Sequence, residues 1–237
     1  IGLTEAEATG ALLCLDVTEA VLDEAIALGH NLVISHHPLI FKGYKSITGK
    51  DYVERCILKA IKNDIVIYSA HTNLDNAYGG VNYKIAEKIG LKNLQVLEPK
   101  ENSLQDDLMQ AGAGIVGELD EPETELEFLK RIKKTFEVGC VRHNRLTGRE
   151  IQKVALCGGA GAFLLPQAIR AGADVFITGE IKYHDYFGHE GDILMAEIGH
   201  YESEQYTKEI FYSIIRDLFP NFALQLSKIN TNPIKYL

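Results

Sequence analysis

The chain has 237 residues, 46% of them hydrophobic, and carries 24 Lys+Arg against 33 Asp+Glu, a formal charge of −9 at pH 7. That apolar content excludes a disordered chain, and the length suffices for one large or two modest domains with their own cores. No apolar run approaches the roughly 18 residues of a membrane span, and without a Lys/Arg block a broad electrostatic grip on nucleic acid or anionic lipid is disfavoured, so a soluble cytoplasmic protein with small-molecule or protein partners is expected.

The chain begins at Ile1 rather than Met, so an N-terminal piece is expected to be missing. The first elements are an apolar strand at 11–15, a helix over about 18–28 closed by Gly29, and a second apolar strand at 31–35. A helix over Tyr52–Asn63, with Val53, Cys56, Ile57 and Ala60 on one face, leads into a strand at Ile65–Ala70. Glu98–Gln152 is rich in Gly and acidic residues and holds one clear amphipathic helix, from about Glu123 to Phe136, opened by the capping-box pattern Thr124-x-x-Glu127. A strand at 153–157, a helix over about 161–171 and a strand at 174–178 follow, with Pro166 tolerable only where that helix effectively starts. Asp192–Ile198 reads as another strand. A last helix runs to Leu218, with Ile210, Phe211, Ile214, Ile215 and Leu218 on its apolar face, and Phe222–Asn230 alternates like a strand.

An internal repeat orders these elements. At an offset of 143 residues Cys14 falls on Cys157, Gly29 on Gly172, Ile34 on Ile177 and Ser35 on Thr178. Each copy is a βαβ unit, for which parallel strands and a right-handed crossover are favoured. At an offset of 129, His71-Thr-Asn-Leu-Asp75 answers His200-Tyr-Glu-Ser-Glu204. The expected fold is α/β: two related lobes built on duplicated βαβ units, residues 1–98 and 99–221, with residues 222–237 packing back on the first.

The chemistry gathers at strand ends, where ligands collect in open α/β sheets. Ser35-His36-His37-Pro38 closes the second strand, and Pro38 biases His37 toward extended backbone, so the two histidines suit two ions better than one. Asp75, His200 and Glu204 also lie just past strand ends, and a helix beginning at His200 puts positions 200 and 204 on one face. Three imidazoles and two carboxylates form a donor set for zinc, manganese, iron or nickel, and a pair of such ions activates water near neutral pH. The bland reading is that these histidines are satisfied by hydrogen bonds in loops. His71, Glu180 and His184 rank below the five, as orienting or proton-transfer groups in the same cleft or as ordinary loop polarity.

Other motifs fall away. The four cysteines form no CxxC pair and read as reduced thiols, Cys14 and Cys157 buried. Gly112-Ala-Gly114-Ile-Val-Gly117 matches a dinucleotide fingerprint, but Glu118-Leu-Asp-Glu-Pro follows where a helix is required. Gly158-Gly-Ala-Gly161 sits between strand and helix, where its amides suit a phosphate and a tight turn equally. Neither a P-loop nor a nucleophile elbow occurs.

Leu15-Asp-Val-Thr18, Ile34-Ser-His-His-Pro-Leu-Ile-Phe41, Ala70-His-Thr-Asn-Leu-Asp75, Cys157-Gly-Gly-Ala-Gly161, Thr178-Gly-Glu-Ile-Lys-Tyr-His184, Gly199-His-Tyr-Glu-Ser-Glu204 and Thr231-Asn-Pro-Ile234 together resemble the Ngg-interacting-factor-three-like proteins, also labelled GTP cyclohydrolase type 2 homologues. The resemblance implies a dinuclear metal centre in the cleft of a two-lobed α/β fold, two divalent ions per chain and a homohexameric ring. By motif, His37 and Asp75 hold one ion, His36 and His200 the other, and Glu204 bridges both. The family's usual N-terminal helix is absent or reduced to Ile1-Gly-Leu3, and Glu98–Gln152 is too short for the domain some members insert. The activity implied is a metal-dependent hydrolase acting on GTP or a nucleotide-like small molecule, with water as nucleophile. The competing reading is a non-catalytic metal-binding scaffold or regulatory protein, and nucleic-acid binding through a central ring stands third, disfavoured by the charge.

Overall fold

The computed structural model describes residues 1–100 and 111–237, so part of the Glu98–Gln152 stretch lies outside the described residues. In chain order the first elements are β1 (Ala11–Cys14), α1 (Glu19–Leu28), β2 (Leu32–Ser35), α2 (Tyr52–Lys62), β3 (Val66–Ser69), α3 (Thr72–Asp75) and α4 (Val81–Ile89). Next come β4 (Lys92–Pro99), β5 (Gly112–Thr124), α5 (Glu125–Thr135), β6 (Arg142–His143), β7 (Glu150–Cys157), α6 (Leu165–Arg170), β8 (Val175–Thr178) and β9 (Leu194–Glu197). The chain closes with α7 (His200–Glu204), α8 (Thr207–Leu218) and β10 (Leu224–Leu226).

Residues 1–72 and 207–234 form one compact unit, and residues 73–206 with 235–237 form another. The divisions fall at 72/73 and 206/207 rather than at 98/99 and 221/222. The physical reason is strand pairing: β4 pairs antiparallel with β5 and so belongs with the second sheet, whereas α8 packs on β1 and β10.

The first unit is a parallel four-stranded sheet in the order β10-β1-β2-β3. Its β1-α1-β2 crossover follows from local signals. Thr18 caps α1 by accepting from the Val21 N–H, and Gly29 ends it at φ +69°, a left-handed conformation that costs glycine nothing. Leu12, Val21, Leu22, Val33, Ile57 and Ile65 fill the core beside this sheet, each buried side chain worth about 1.5–3 kcal/mol.

In the second unit six strands run β4-β5-β7-β8-β9-β6, parallel through β7-β8-β9 and antiparallel elsewhere. Cys14 pairs with Ser35 in the first unit and Cys157 with Thr178 in the second, so positions offset by 143 share one parallel register. Pro166 falls at the start of α6, where its missing N–H costs nothing.

Three expectations fail. Gly112–Thr124 is one long strand in a stretch where the sequence pattern marked only a helix; its glycines and acidic residues hid the β signal, and the fingerprint-like Gly112–Gly117 lies within it. The last helix buries Ile210 and Phe211 but leaves Ile214 and Leu218 exposed, its buried residues all lying in its first half. The final strand is three residues long rather than nine.

Candidate metal centre

His36 and His37 leave the carboxyl end of β2, the strand lying between β1 and β3. Their backbone is fixed first: the His37 N–H donates to the Leu15 carbonyl, and the Ser35 hydroxyl meets the Ser69 hydroxyl at 2.8 Å. The side chains then turn to opposite neighbours. His36 Nδ1 lies 2.9 Å from the carbonyl of Ala70, past β3, and His37 Nδ1 lies 2.7 Å from Asp16 Oδ1, past β1. Both partners accept, so each Nδ1 is the donor, the arrangement in which a neutral ring keeps its lone pair on Nε2. His71 closes the group: its ring centroid is 5.3 Å from that of His36 and 5.6 Å from that of His37. One nitrogen from each of the three lies within 4.8 Å of the others. His71 is thus part of a three-imidazole cluster.

In the second unit His200 opens α7 and Glu204 ends it, one turn later on the same face. His200 Nε2 is 3.1 Å from Glu204 Oε2, and His200 Nδ1 is 2.7 Å from Glu180 Oε1. The hydrogen bond to Glu204, reinforced by the charges of both carboxylates, raises the His200 pKa against the opposing effect of burial. Glu204 is itself buried, at 4% exposure, and a carboxylate so placed needs a cation or a full hydrogen-bond shell.

Asp75 ends α3, and its carbonyl accepts from Asn82 Nδ2, while Asn82 Oδ1 accepts the Gly158 N–H. Burial first, then the charges of Asp75 and Glu204, push the Cys157 thiol up to about 12, so both carboxylates bear on one buried point. The amides of Gly158, Gly159 and Gly161 donate to Asn82, Ser203 and Thr178. The glycine turn therefore builds structure, and the phosphate alternative falls away. Gly159 has φ +58°, and a Cβ there would collide with Glu204 Oε1. Among the described residues His184 belongs to none of the clusters that could hold a metal ion, and its ring lies against those of Tyr183 and Phe187.

The donor set fits a metal. In His36, His37 and His200 alike Nδ1 is committed to an acceptor, the outer-shell arrangement that fixes tautomer and ring orientation in metal-ligating histidines. Asp16 is the residue that spacing could not find. Its second oxygen accepts from the Thr231 hydroxyl, 215 positions away, so the support becomes visible only when the fold joins the Leu15–Thr18 and Thr231–Ile234 motifs.

Fold and site together define an α/β protein with imidazole and carboxylate groups of metal-binding type. The sequence matches the Duf34/NIF3 (NGG1p interacting factor 3) family over residues 1–233, and the chain belongs to that family. It is 33% identical over 243 residues to a protein of Lactococcus lactis subsp. lactis named GTP cyclohydrolase 1 type 2 homolog, covering 98% of this chain and 88% of that one. A protein of the same name from Clostridium perfringens is 37% identical over 207 residues, covering 86% and 76%. A hypothetical protein of Staphylococcus aureus with a crystal structure superposes with a TM-score of 0.90 at 32% identity, over all of this chain and 90% of that one.

Proposed function

We propose that the protein is a dinuclear metal-dependent hydrolase acting on GTP or a related nucleotide-like small molecule. The observation that carries this reading is the shared treatment of His36, His37 and His200, each held through Nδ1, so that Nε2 would be the ligating atom. In the assignment that the family motifs support, His37 and Asp75 hold one ion, His36 and His200 the other, and Glu204 bridges the two. Bound divalent ions in such a pair polarise a substrate oxygen and acidify water. The chain's own part is orientation and proton traffic: Asp16 and Glu180 fix imidazoles, and the His200 Nε2 and Glu204 contact holds a proton that a bound cation would replace. We extend the reading to two related lobes of duplicated origin, supported by the common register at offset 143, and to a homohexameric ring, supported by the family motifs.

Elemental analysis of protein purified without added metal tests the centre: about two transition-metal ions per chain are expected, and fewer than one, unrecoverable by reconstitution, overturns it. Hydrolysis is tested by GTP turnover of the metal-loaded protein against His37→Ala. Equal rates would assign the ions to a non-catalytic scaffold. A solution mass other than six chains would dismiss the ring.

A further inference from the structure

A groove of about 520 Å³ in the second unit has Phe163, Glu180, Lys182, His184, Asp185 and Phe187 among its walls. This is the size range of pockets that take small organic ligands, roughly 300–1,000 Å³. Two features separate it from an ordinary surface dent. The first is that two large apolar rings stand in water there, Phe163 at 61% exposure and Phe187 at 56%. An isolated exposed ring needs no explanation, but two in the walls of one concavity offer stacking faces.

The second feature is that both rings are carried on short, pinned turns. Phe163 lies in the one-turn 3-10 helix Gly161–Leu164, whose first N–H donates to Thr178 Oγ1 at 3.0 Å. Phe187 follows the 3-10 turn Tyr183–Tyr186 and packs on Tyr183 at 5.3 Å between centroids. Glu197 ties that turn down, since its Oε2 accepts from the Ile181 N–H at 3.1 Å and from the Tyr186 hydroxyl at 3.0 Å, while Arg142 holds its other oxygen at 2.8 Å. Rings held in advance lose little freedom when a ligand arrives.

The polar groups decide the ligand class. Glu180 and Asp185 accept, Lys182 donates, and His184 does either, so the rim matches a ring edge bearing both donors and acceptors. Two carboxylates against one ammonium tell against a polyphosphate as the recognised element. We propose that this groove binds the flat, uncharged ring system of a nucleobase-sized heteroaromatic compound by stacking on Phe163 and Phe187. Glu180 links it to the metal centre, because the same carboxylate lies 2.7 Å from His200 Nδ1. Its role as the substrate's ring subsite rests on the function proposed above; ring binding itself does not need the metal.

The test is equilibrium dialysis or calorimetry with guanosine as an uncharged probe, on the full chain both metal-loaded and chelator-treated. Saturable binding is expected in both states. Substituting both rings (Phe163→Ala with Phe187→Ala) should weaken it at least tenfold, in line with the roughly 1–3 kcal/mol per base that aromatic stacking supplies, with metal content unchanged. If that variant does not fold, Phe163→Leu with Phe187→Leu keeps the apolar volume, removes the flat faces and should show the same loss. No saturable guanosine binding, equal affinity in the ring variant, or full displacement of guanosine by tripolyphosphate overturns the proposal. Guanosine binding retained by a protein that takes up no metal would sink the hydrolase and leave the groove standing.

Discussion

In the first unit His37 leans on Asp16, whose side chain is 33% exposed; in the second His200 leans on Glu180, at 58%. Both are 2.7 Å pairs, so distance does not distinguish them. Surroundings do. Asp16 is held by Thr231 and backs a cluster of three imidazoles, whereas Glu180 stands in an open groove and backs one imidazole that already faces a buried carboxylate. Equal geometry in unequal solvent predicts unequal work, because water screens the exposed pair.

The strongest way to break the comparison lies in the glycine turn. Gly159→Ala places a side chain at φ +58° and against Glu204, and should cost about 2 kcal/mol or more in urea unfolding together with a measurable loss of bound metal. Gly29→Ala, at φ +69° with open space around the new Cβ, should cost only about 1–2 kcal/mol and leave metal content unchanged. Similar losses of metal in both would show that Glu204 is not the sensitive point.

Removing the two supporting carboxylates sharpens the contrast directly. Asp16→Ala should lower metal affinity about 10–100-fold in competition with a chromogenic chelator, and Glu180→Ala by about tenfold or less. A reversed order would mean that exposure does not set the strength of support. Thr231→Val, which removes one hydrogen bond to Asp16, should have a smaller effect of the same sign, a few-fold at most.

The smallest effect is one of pH. His200 has a pKa raised by its carboxylate neighbours, so in metal-free protein its stabilising contribution is full below the ordinary histidine value and is lost as pH rises through the raised one. Melting temperatures of the chelator-treated chain from about pH 6 to about pH 9 should therefore fall more for wild type than for His200→Gln. With metal present the trend at this residue reverses, because protons and cations compete for Nε2. Parallel profiles for the two metal-free proteins would remove His200 from the account.

Much of this was legible in the sequence where the signal is local. Thr18 and Gly29 bracket α1, the Thr124 and Glu127 capping box opens α5, and the spacing of His200 and Glu204 on a helix gave their shared face. What stayed hidden depends on contacts between distant segments. The β5 residues Gly112–Thr124 are a strand because β4 and β7 pair with them on either side, not because their side chains prefer one. Asp16 looked like an ordinary polar residue after a strand until the fold set it against His37 and Thr231. The nearness of His71 to the histidine pair stayed hidden for the same reason, since the parallel order of β1, β2 and β3 is what brings its ring there.

The parallel pairing of β10 with β1 sets Ala11 beside Leu224, so the first unit is closed by a strand that follows the second unit's long segment, residues 73–206, in the chain. The second unit is nearly contiguous, residues 73–206, and is the part that a chain emerging from the ribosome completes first. Of the two units, the one begun earlier is thus completed later. Thr231 arrives just after the closing strand, so the support behind His37 is completed only once residues 73–206 have been made, and a chain cut short before β10 should expose the edge of β1 to protease while leaving the six-stranded sheet protected.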